Sequence, residues 1–145
     1  MSDGFLAMSV AMYPGNVAEA PAGSSCDPVD HAEVLSVDGP SRRLSWDLCE
    51  QAPGELIYEL RQGNRILTQE EHQGALDALD GVQKSDAKWC ANDASALTLD
   101  LENEVGTELY ANDLFSDCPW DLQDGRTFVT NLSELYGELR GLVPN

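Results

Sequence analysis

The side chains that most often carry out catalysis are few in this chain of 145 residues. Its two histidines are His31 and His72, and neither belongs to a zinc motif such as His-x-x-x-His. No Gly-x-Ser-x-Gly turn, Gly-x-Gly-x-x-Gly fingerprint or Walker loop occurs, so the sequence offers no recognised nucleophile or nucleotide site. We therefore predict a protein that binds another molecule without a cofactor and is not an enzyme.

Oxygen-bearing side chains are densest in a segment of the C-terminal third. Four aspartates follow one another there at spacings of four, four and three residues: Asp113, Asp117, Asp121 and Asp124. Calcium takes about six to eight oxygen ligands from loops of this kind, but this spacing matches no known calcium motif. The sequence predicts a solvated acidic loop, with Ca²⁺ binding as the alternative.

Aromatic side chains accompany the same loop. Trp89, Phe115 and Trp120 stand near two of the aspartates, Asp113 and Asp117, in a patch that combines aromatic and acidic character. Exposed aromatic patches are typical of binding surfaces, although a tryptophan beside a cystine more often packs in the core. These five residues form the candidate binding surface.

The four cysteines, Cys26, Cys49, Cys90 and Cys118, are widely spaced. Because no Cys-x-x-Cys pair suggests zinc or a redox site, an even number of dispersed cysteines predicts two disulfides and an oxidising compartment. Four buried thiols in a cytosolic protein are the alternative.

Hairpin geometry suggests how the cysteines pair, because the numbers of facing residues in an antiparallel hairpin add to a constant. A turn at Glu104 and Val105 makes that constant near 209, and the numbers of Cys90 and Cys118 add to 208. A turn at Asp38-Gly39 gives about 77, against 75 for Cys26 and Cys49. We expect the disulfides Cys26–Cys49 and Cys90–Cys118.

The charge balance restricts the partners. With 26 acidic and 8 basic residues the net charge is −18, which repels phosphate backbones and anionic lipids. Nucleic acid is excluded, and a protein or other macromolecule, preferably cationic, is expected. No apolar run approaches the roughly 20 residues of a transmembrane helix. The predicted location is extracytoplasmic: secreted, periplasmic or tethered to the cell surface.

Two parts of the chain differ in composition. Residues 1–31 contain an apolar stretch, Phe5–Tyr13, predicted as a strand, followed by a loop or linker rich in Pro, Gly and Ser. Residues 32–145 are predicted to form one α+β domain.

Three hairpins are predicted in that domain from alternating apolar residues around turn residues. Their strands are residues 33–37 and 43–49 around Asp38-Gly39-Pro40, residues 55–60 and 65–67 around Gln62-Gly63-Asn64, and residues 95–103 and 106–111. In the last of these, Asp100 and Glu102 alternate with leucines and should face solvent.

Two helices complete the prediction. Thr68 and Glu71 form a capping box before a helix that carries His72 at the rim of its apolar face. A leucine-rich helix follows Asn131, which is either its N-cap or, within Asn131-Leu132-Ser133, a glycosylation sequon. The predicted fold class is α+β: an antiparallel sheet, a meander of hairpins, packed against two α-helices and stapled by two disulfides.

The order of these elements, with Leu67-Thr68-x-x-Glu71 between the second and third cysteines and Tyr110-x-x-Asp113 before Cys118, resembles uncharacterised small secreted or lipoprotein domains of myxobacteria-like bacteria. The resemblance spans residues 33–143, rests on spacing, and implies an extracytoplasmic location without implying an activity.

The segment between Cys90 and Cys118 is also similar to subtilisin-inhibitor-like proteins. That similarity implies a reactive loop at Ala91, Asn92 and Asp93, although the spacing of the first cysteine pair and the long terminal helix depart from the family. The expected function is therefore an extracytoplasmic, non-catalytic binding module with an acidic surface; the alternative is a secreted serine-protease inhibitor.

Overall fold

The computed structural model describes residues 1–15, 17–85, 89–90, 96–112, 114–115 and 125–145, and of residues 89–90 and 114–115 it describes the strand pairing only. The described elements are β1 (Phe5–Tyr13), β2 (Glu33–Asp38), β3 (Arg43–Gln51), β4 (Tyr58–Ile66), α1 (Gln69–Asp80), β5 (Gln83–Lys84), β6 (Trp89–Cys90), β7 (Ala96–Asn103), β8 (Gly106–Asn112), β9 (Leu114–Phe115), β10 (Thr127–Thr130) and α2 (Leu132–Gly141).

Eight strands form one sheet in the order β4-β3-β2-β1-β7-β8-β10-β5, and β6 pairs with β9 separately. The α+β class with two helices is confirmed. The sheet is mixed, however, because β10 runs parallel to β8 and β9 runs parallel to β6. An uninterrupted antiparallel meander was therefore the wrong topology, since a parallel neighbour requires a connection that crosses over instead of a tight hairpin.

Strand β1 lies inside the sheet, between β2 and β7. Met8 and Val10 are buried on one face while Ala7, Ser9 and Ala11 alternate with them on the other. The N-terminal strand thus shares one sheet with the strands from residue 33 onward.

Two of the three predicted hairpins are confirmed. Strands β2 and β3 pair across the Asp38-Gly39-Pro40 turn. Strands β7 and β8 pair with Thr98 opposite Ala111, which is the register expected for a turn at Glu104 and Val105.

The hairpin predicted around Gly63 is wrong, because β4 runs as one strand through that residue. Gly63 lies opposite Trp46 of β3, and a Cβ atom on Gly63 would stand 2.6 Å from Cζ2 of the indole. The glycine makes room for the tryptophan ring, so its function is packing and not chain reversal.

Helix α1 begins as predicted. The Thr68 side chain accepts a hydrogen bond from the Glu71 amide, and the Glu71 carboxylate accepts one from the Thr68 amide. Asn131 occupies the N-cap position of α2 but makes no side-chain cap bond. Its backbone is left-handed, with φ of 66°, and its Nδ2 donates to the carbonyl oxygen of Gly81 at 2.8 Å. Asn131 therefore joins the start of α2 to the end of α1 instead of capping its own helix.

The core lies between the two helices and one face of the sheet. Its fully buried large side chains are Val10, Leu35, Leu44, Leu48, Leu67, Leu79, Leu99, Leu101, Leu132, Leu135 and Leu139. Residues of β1, β2, β3 and β7 contribute at every second position, as a sheet covered on one side requires.

Cys26 and Cys49 form a disulfide, as predicted. The register argument behind that prediction was wrong, because facing residues of β2 and β3 have numbers that add to 81. Cys26 precedes β2 in a segment that runs along β4, where Ser25 donates its backbone N–H to the Tyr58 carbonyl oxygen at 2.9 Å. One disulfide is thus seen; the predicted Cys90–Cys118 bond falls outside the described side chains.

Candidate functional site

The sheet has a second face, which points away from the helices and which we call the open face. Its side chains include Ala7, Ser9 and Ala11 of β1, Ser36 of β2, Ser45 of β3, and Asp100 and Glu102 of β7. Because facing residues share a face, one row of partners crosses five strands: Asn64, Ser45, Ser36, Ser9 and Asp100. The row presents hydroxyl, amide and carboxylate groups side by side.

A groove of about 300 Å³ crosses this face. Its floor consists of small side chains, Ala7, Ser9, Ser36 and Ser45. The Ser36 hydroxyl donates to the Ser9 hydroxyl at 3.1 Å, which fixes the centre of the floor. Small residues keep the backbone near solvent here, so the groove exists because no large side chain fills it.

The rim of the groove is mostly acidic, with Asp38, Asp100 and Glu102 against a single guanidinium, that of Arg43. Asp38 accepts hydrogen bonds from the hydroxyl and backbone N–H of Ser41, and these bonds lower the pKa of its carboxyl group. The Asp38 side chain therefore stays ionised at neutral pH.

The other rim charges differ in their partners. Asp100 accepts a hydrogen bond from Arg126 at 2.7 Å, and Arg43 donates to the side-chain oxygen of Asn64. Glu102 is exposed and forms no ion pair within the described ranges. The rim thus retains negative charge that a cation can meet.

The two histidines lie in different surroundings. His31 Nε2 stands 2.8 Å from Asp47 Oδ1, and the facing partners of β3 place Asp47 on the open face. The His72 ring packs near Phe5, and burial followed by repulsion from Arg42 lowers the pKa of His72. Neither histidine receives a hydrogen bond from a hydroxyl or thiol in the part of the chain that the structure describes. Neither histidine is therefore placed as a base beside a described hydroxyl or thiol nucleophile.

A cluster of titratable groups joins α2 to the other face of the sheet. Glu50 accepts hydrogen bonds from Arg61 and Arg140; these lower its pKa against the opposing effect of burial. Burial and the nearby Glu50 charge raise the pKa of Glu33, whose carboxylate accepts a hydrogen bond from the Tyr136 hydroxyl at 3.4 Å. These contacts hold α2 against the sheet.

Strands β6 and β9 pair Trp89 with Leu114 and Cys90 with Phe115, so the segments carrying Trp89 and Phe115 are neighbours. The rest of the surface predicted from sequence, Asp113, Asp117 and Trp120, lies outside the described residues, as do Asp121 and Asp124 of the calcium alternative and Ala91, Asn92 and Asp93 of the inhibitor alternative. No cluster of three or more metal-ligating side chains occurs among the residues that are described.

The groove was missed by sequence reasoning, although a signal was present. In β1 the small residues Ala7, Ser9 and Ala11 alternate with Met8 and Val10. Alternation of large apolar with small side chains, instead of large with charged ones, indicates a strand whose second face is kept shallow.

Comparison with protein-family models, curated proteins and solved structures returned no significant match to this chain. The two resemblances noted from the sequence therefore remain predictions. Neither described helix combines the length and the apolar character that crossing a bilayer requires.

Proposed function

We propose that this protein is an extracytoplasmic, non-catalytic binding module whose groove holds a basic segment of a partner protein. The observation that carries the proposal is the combination, on an uncovered sheet face, of a floor of small hydroxyl side chains with a rim of three carboxylates. A lysine or arginine stem can lie on the floor while its charged end meets Asp38 or Glu102.

Charge supports a cationic partner at long range as well as at contact. A net charge of −18 attracts basic segments over about 8–10 Å at physiological ionic strength and repels acidic ones. No aromatic side chain of the described residues lines the groove, which argues against a stacked sugar ring or base as its ligand.

The disulfide Cys26–Cys49 supports the extracytoplasmic part of the proposal. Disulfides persist in oxidising compartments and are rare where thiol reductants are abundant. The serine-protease inhibitor remains an alternative from sequence alone, because its reactive loop falls outside the described residues.

The test is a titration with the peptide Lys-Gly-Lys-Gly-Lys and its glutamate counterpart, followed by NMR shifts of groove amides. We expect the lysine peptide to bind, the glutamate peptide not to bind, and added salt to weaken the complex. Glu102→Gln should weaken binding about two- to fivefold, as expected for loss of one exposed ion pair. Ser36→Leu, which fills the floor, should abolish it.

The matched control is Glu138→Gln on α2, which removes the same charge on the other side of the sheet. Equal losses in Glu102→Gln and Glu138→Gln would show that only net charge matters. Unchanged binding by Ser36→Leu would remove the groove from the proposal.

A further inference from the structure

Strand β4 forms one edge of the large sheet, and among the described strands it pairs with β3 alone. Near its start, the outward groups of the edge are already bonded: Tyr58 donates its N–H to the Ser24 hydroxyl at 2.9 Å, and Leu60 donates its N–H to the Ser25 hydroxyl at 2.8 Å. The segment around Ser24 and Ser25, anchored by the Cys26–Cys49 disulfide, thus covers this part of the edge.

The rest of the edge is uncovered. Backbone groups in a strand alternate sides with a period of two residues, so the outward N–H groups of Tyr58 and Leu60 predict that Gln62 and Asn64 also direct their N–H and C=O groups outward. Within the described part of the chain these groups of Gln62 and Asn64 have no hydrogen-bond partner. Four adjacent backbone groups are therefore available to a further strand.

We propose that residues 62–66 of this edge accept an extended segment of a partner protein as an added β-strand. Addition of a strand to an open edge is an established mode of peptide recognition, in which backbone hydrogen bonds supply affinity and alternate side chains supply specificity. Natural sheets normally cover or charge such an edge, so an uncovered stretch beside a covered one indicates a surface kept available.

The flanking side chains define the chemistry of that segment. Leu60 and Ile66 lie on the open face at the two ends of the uncovered stretch, and their exposed fractions are 40% and 47%. Asp47 faces Gln62 from β3, with 41% of its side chain exposed. Leu60, Gln62 and Ile66 point to the same face, so every second side chain of an added strand meets them. At these alternate positions the segment therefore carries apolar side chains at its two ends and a basic side chain opposite Gln62, beside Asp47.

Arg43 lies on the open face opposite Ile66 and donates to the side-chain oxygen of Asn64, so it disfavours a basic side chain at that end of the edge. Two other arginines beside the edge, Arg61 and Arg65, do not oppose a basic side chain, because they are already paired. Arg61 and Arg65 share a face with the core residues Leu48 and Leu44, away from the open face. Arg61 is bonded to Glu50, and Arg65 makes two hydrogen bonds to Glu71 at 3.0 and 2.7 Å. A second copy of the chain is disfavoured as the occupant, since each copy brings a net charge of −18.

This surface is distinct from the groove, which is lined from β1, β2, β3, β7 and β8. The two proposals are separated by working in the Ser36→Leu background, where the groove is filled and the edge is unchanged. The probe is the peptide Val-Thr-Thr-Thr-Lys-Thr-Val, which in antiparallel pairing sets its lysine opposite Gln62 and its two valines opposite Leu60 and Ile66. The readout is amide hydrogen exchange and NMR shift at Gln62 and Asn64.

Binding should slow exchange of the Gln62 and Asn64 amides at least about tenfold, the protection of a newly hydrogen-bonded amide. Gln62→Pro should weaken binding at least about tenfold, because it removes an outward N–H that the fold does not use, whereas Gln62→Ala should stay within about twofold. Should Gln62→Pro fail to fold, the same peptide N-methylated at alternate residues removes the bond from the other partner and should bind at least about tenfold more weakly.

Three results would overturn the inference: equal binding of the N-methylated and unmodified peptides, equal binding of the peptide with glutamate in place of its lysine, or a self-dimer in sedimentation velocity that Gln62→Pro dissociates. The last result would assign the edge to a second copy of the chain. Binding lost in Ser36→Leu with no protection at Gln62 in the parent would leave the groove proposal standing and reject the edge.

Discussion

The two faces of the large sheet are built from the same strands but carry different side chains. On the face covered by the helices, Leu35, Leu44 and Leu99 are fully buried. On the open face the same strands carry Ser36, Ser45 and Asp100. Because successive side chains point to opposite faces, the stability of the fold and the proposed binding depend on neighbouring residues of one strand. Substitutions on the covered face should therefore change stability, and those on the open face should change binding.

The sharpest form of this contrast compares Leu99→Ala with Ser9→Ala. Leu99 is 0% exposed and its truncation should cost about 2–5 kcal/mol of unfolding free energy, through lost burial and a residual cavity. Ser9 lies on the open face, opposite Asp100 of β7. Its change should cost about 0.5–1.5 kcal/mol, the value of its hydrogen bond with Ser36. Urea unfolding of both variants measures the difference.

The covered face is stabilised by buried leucines, whereas a disulfide stabilises the segment beside β4. Replacing Cys26 and Cys49 together by alanine should cost about 3 kcal/mol, as the chain-entropy model assigns to a bridge across a loop of this length. Amide exchange of Tyr58 and Leu60 should accelerate, because Ser24 and Ser25 lose their anchor at the β4 edge. Loss of stability without faster exchange at these two amides would show that the disulfide does not hold Ser24 and Ser25 against the edge strand β4.

The covered face was largely predictable and the open face was not. Alternating leucines placed β7 and β8 in the correct register, and the pair Thr68 and Glu71 located the start of α1. These features follow from local periodicity and capping. The groove depends instead on which strands become neighbours, and the placement of β1 between β2 and β7 is a long-range pairing that no local pattern specifies.

Two local sequence signals predicted a conformation that the structure does not have. Gly63 between polar residues indicated a turn, yet its missing side chain accommodates the Trp46 indole. Asn131 before a leucine-rich run indicated a helix cap, yet its side-chain amide donates a hydrogen bond to the carbonyl oxygen of Gly81, just after α1. In both cases a tertiary contact decided the conformation, and the contacting residue lies many positions away in the sequence.

The variant Gly63→Ala tests the contact between Gly63 and the Trp46 indole directly. The added methyl group would stand 2.6 Å from the indole of Trp46, so the ring must move, at a cost of about 1–3 kcal/mol. The matched control is Gly137→Ala in α2, where no heavy atom lies within 4 Å of the added Cβ and a gain of about 0.4–1 kcal/mol is expected. Tryptophan fluorescence and thermal unfolding measure both, and a stable Gly63→Ala with unchanged emission would contradict the packing role.

The smallest predicted effect concerns the ionised carboxylate of Glu71 and its hydrogen bonds. Arg65 and the backbone N–H of Thr68 hold the Glu71 carboxylate and lower its pKa to about 2. Since this pKa is depressed in the folded state, the contribution of Glu71 to stability is fully present above its ordinary pKa of 4.5 and is lost as the pH falls toward 2.

Glu71→Gln should therefore lower the Tm at pH 7, and the difference in Tm between this variant and the parent should shrink between about pH 5 and pH 2. Glu70→Gln, one residue earlier in the same helical turn and without such partners in the described structure, is the control that removes the same charge. Parallel pH profiles for the parent and Glu71→Gln would show that the bonds to Arg65 and Thr68 do not act on the ionised form.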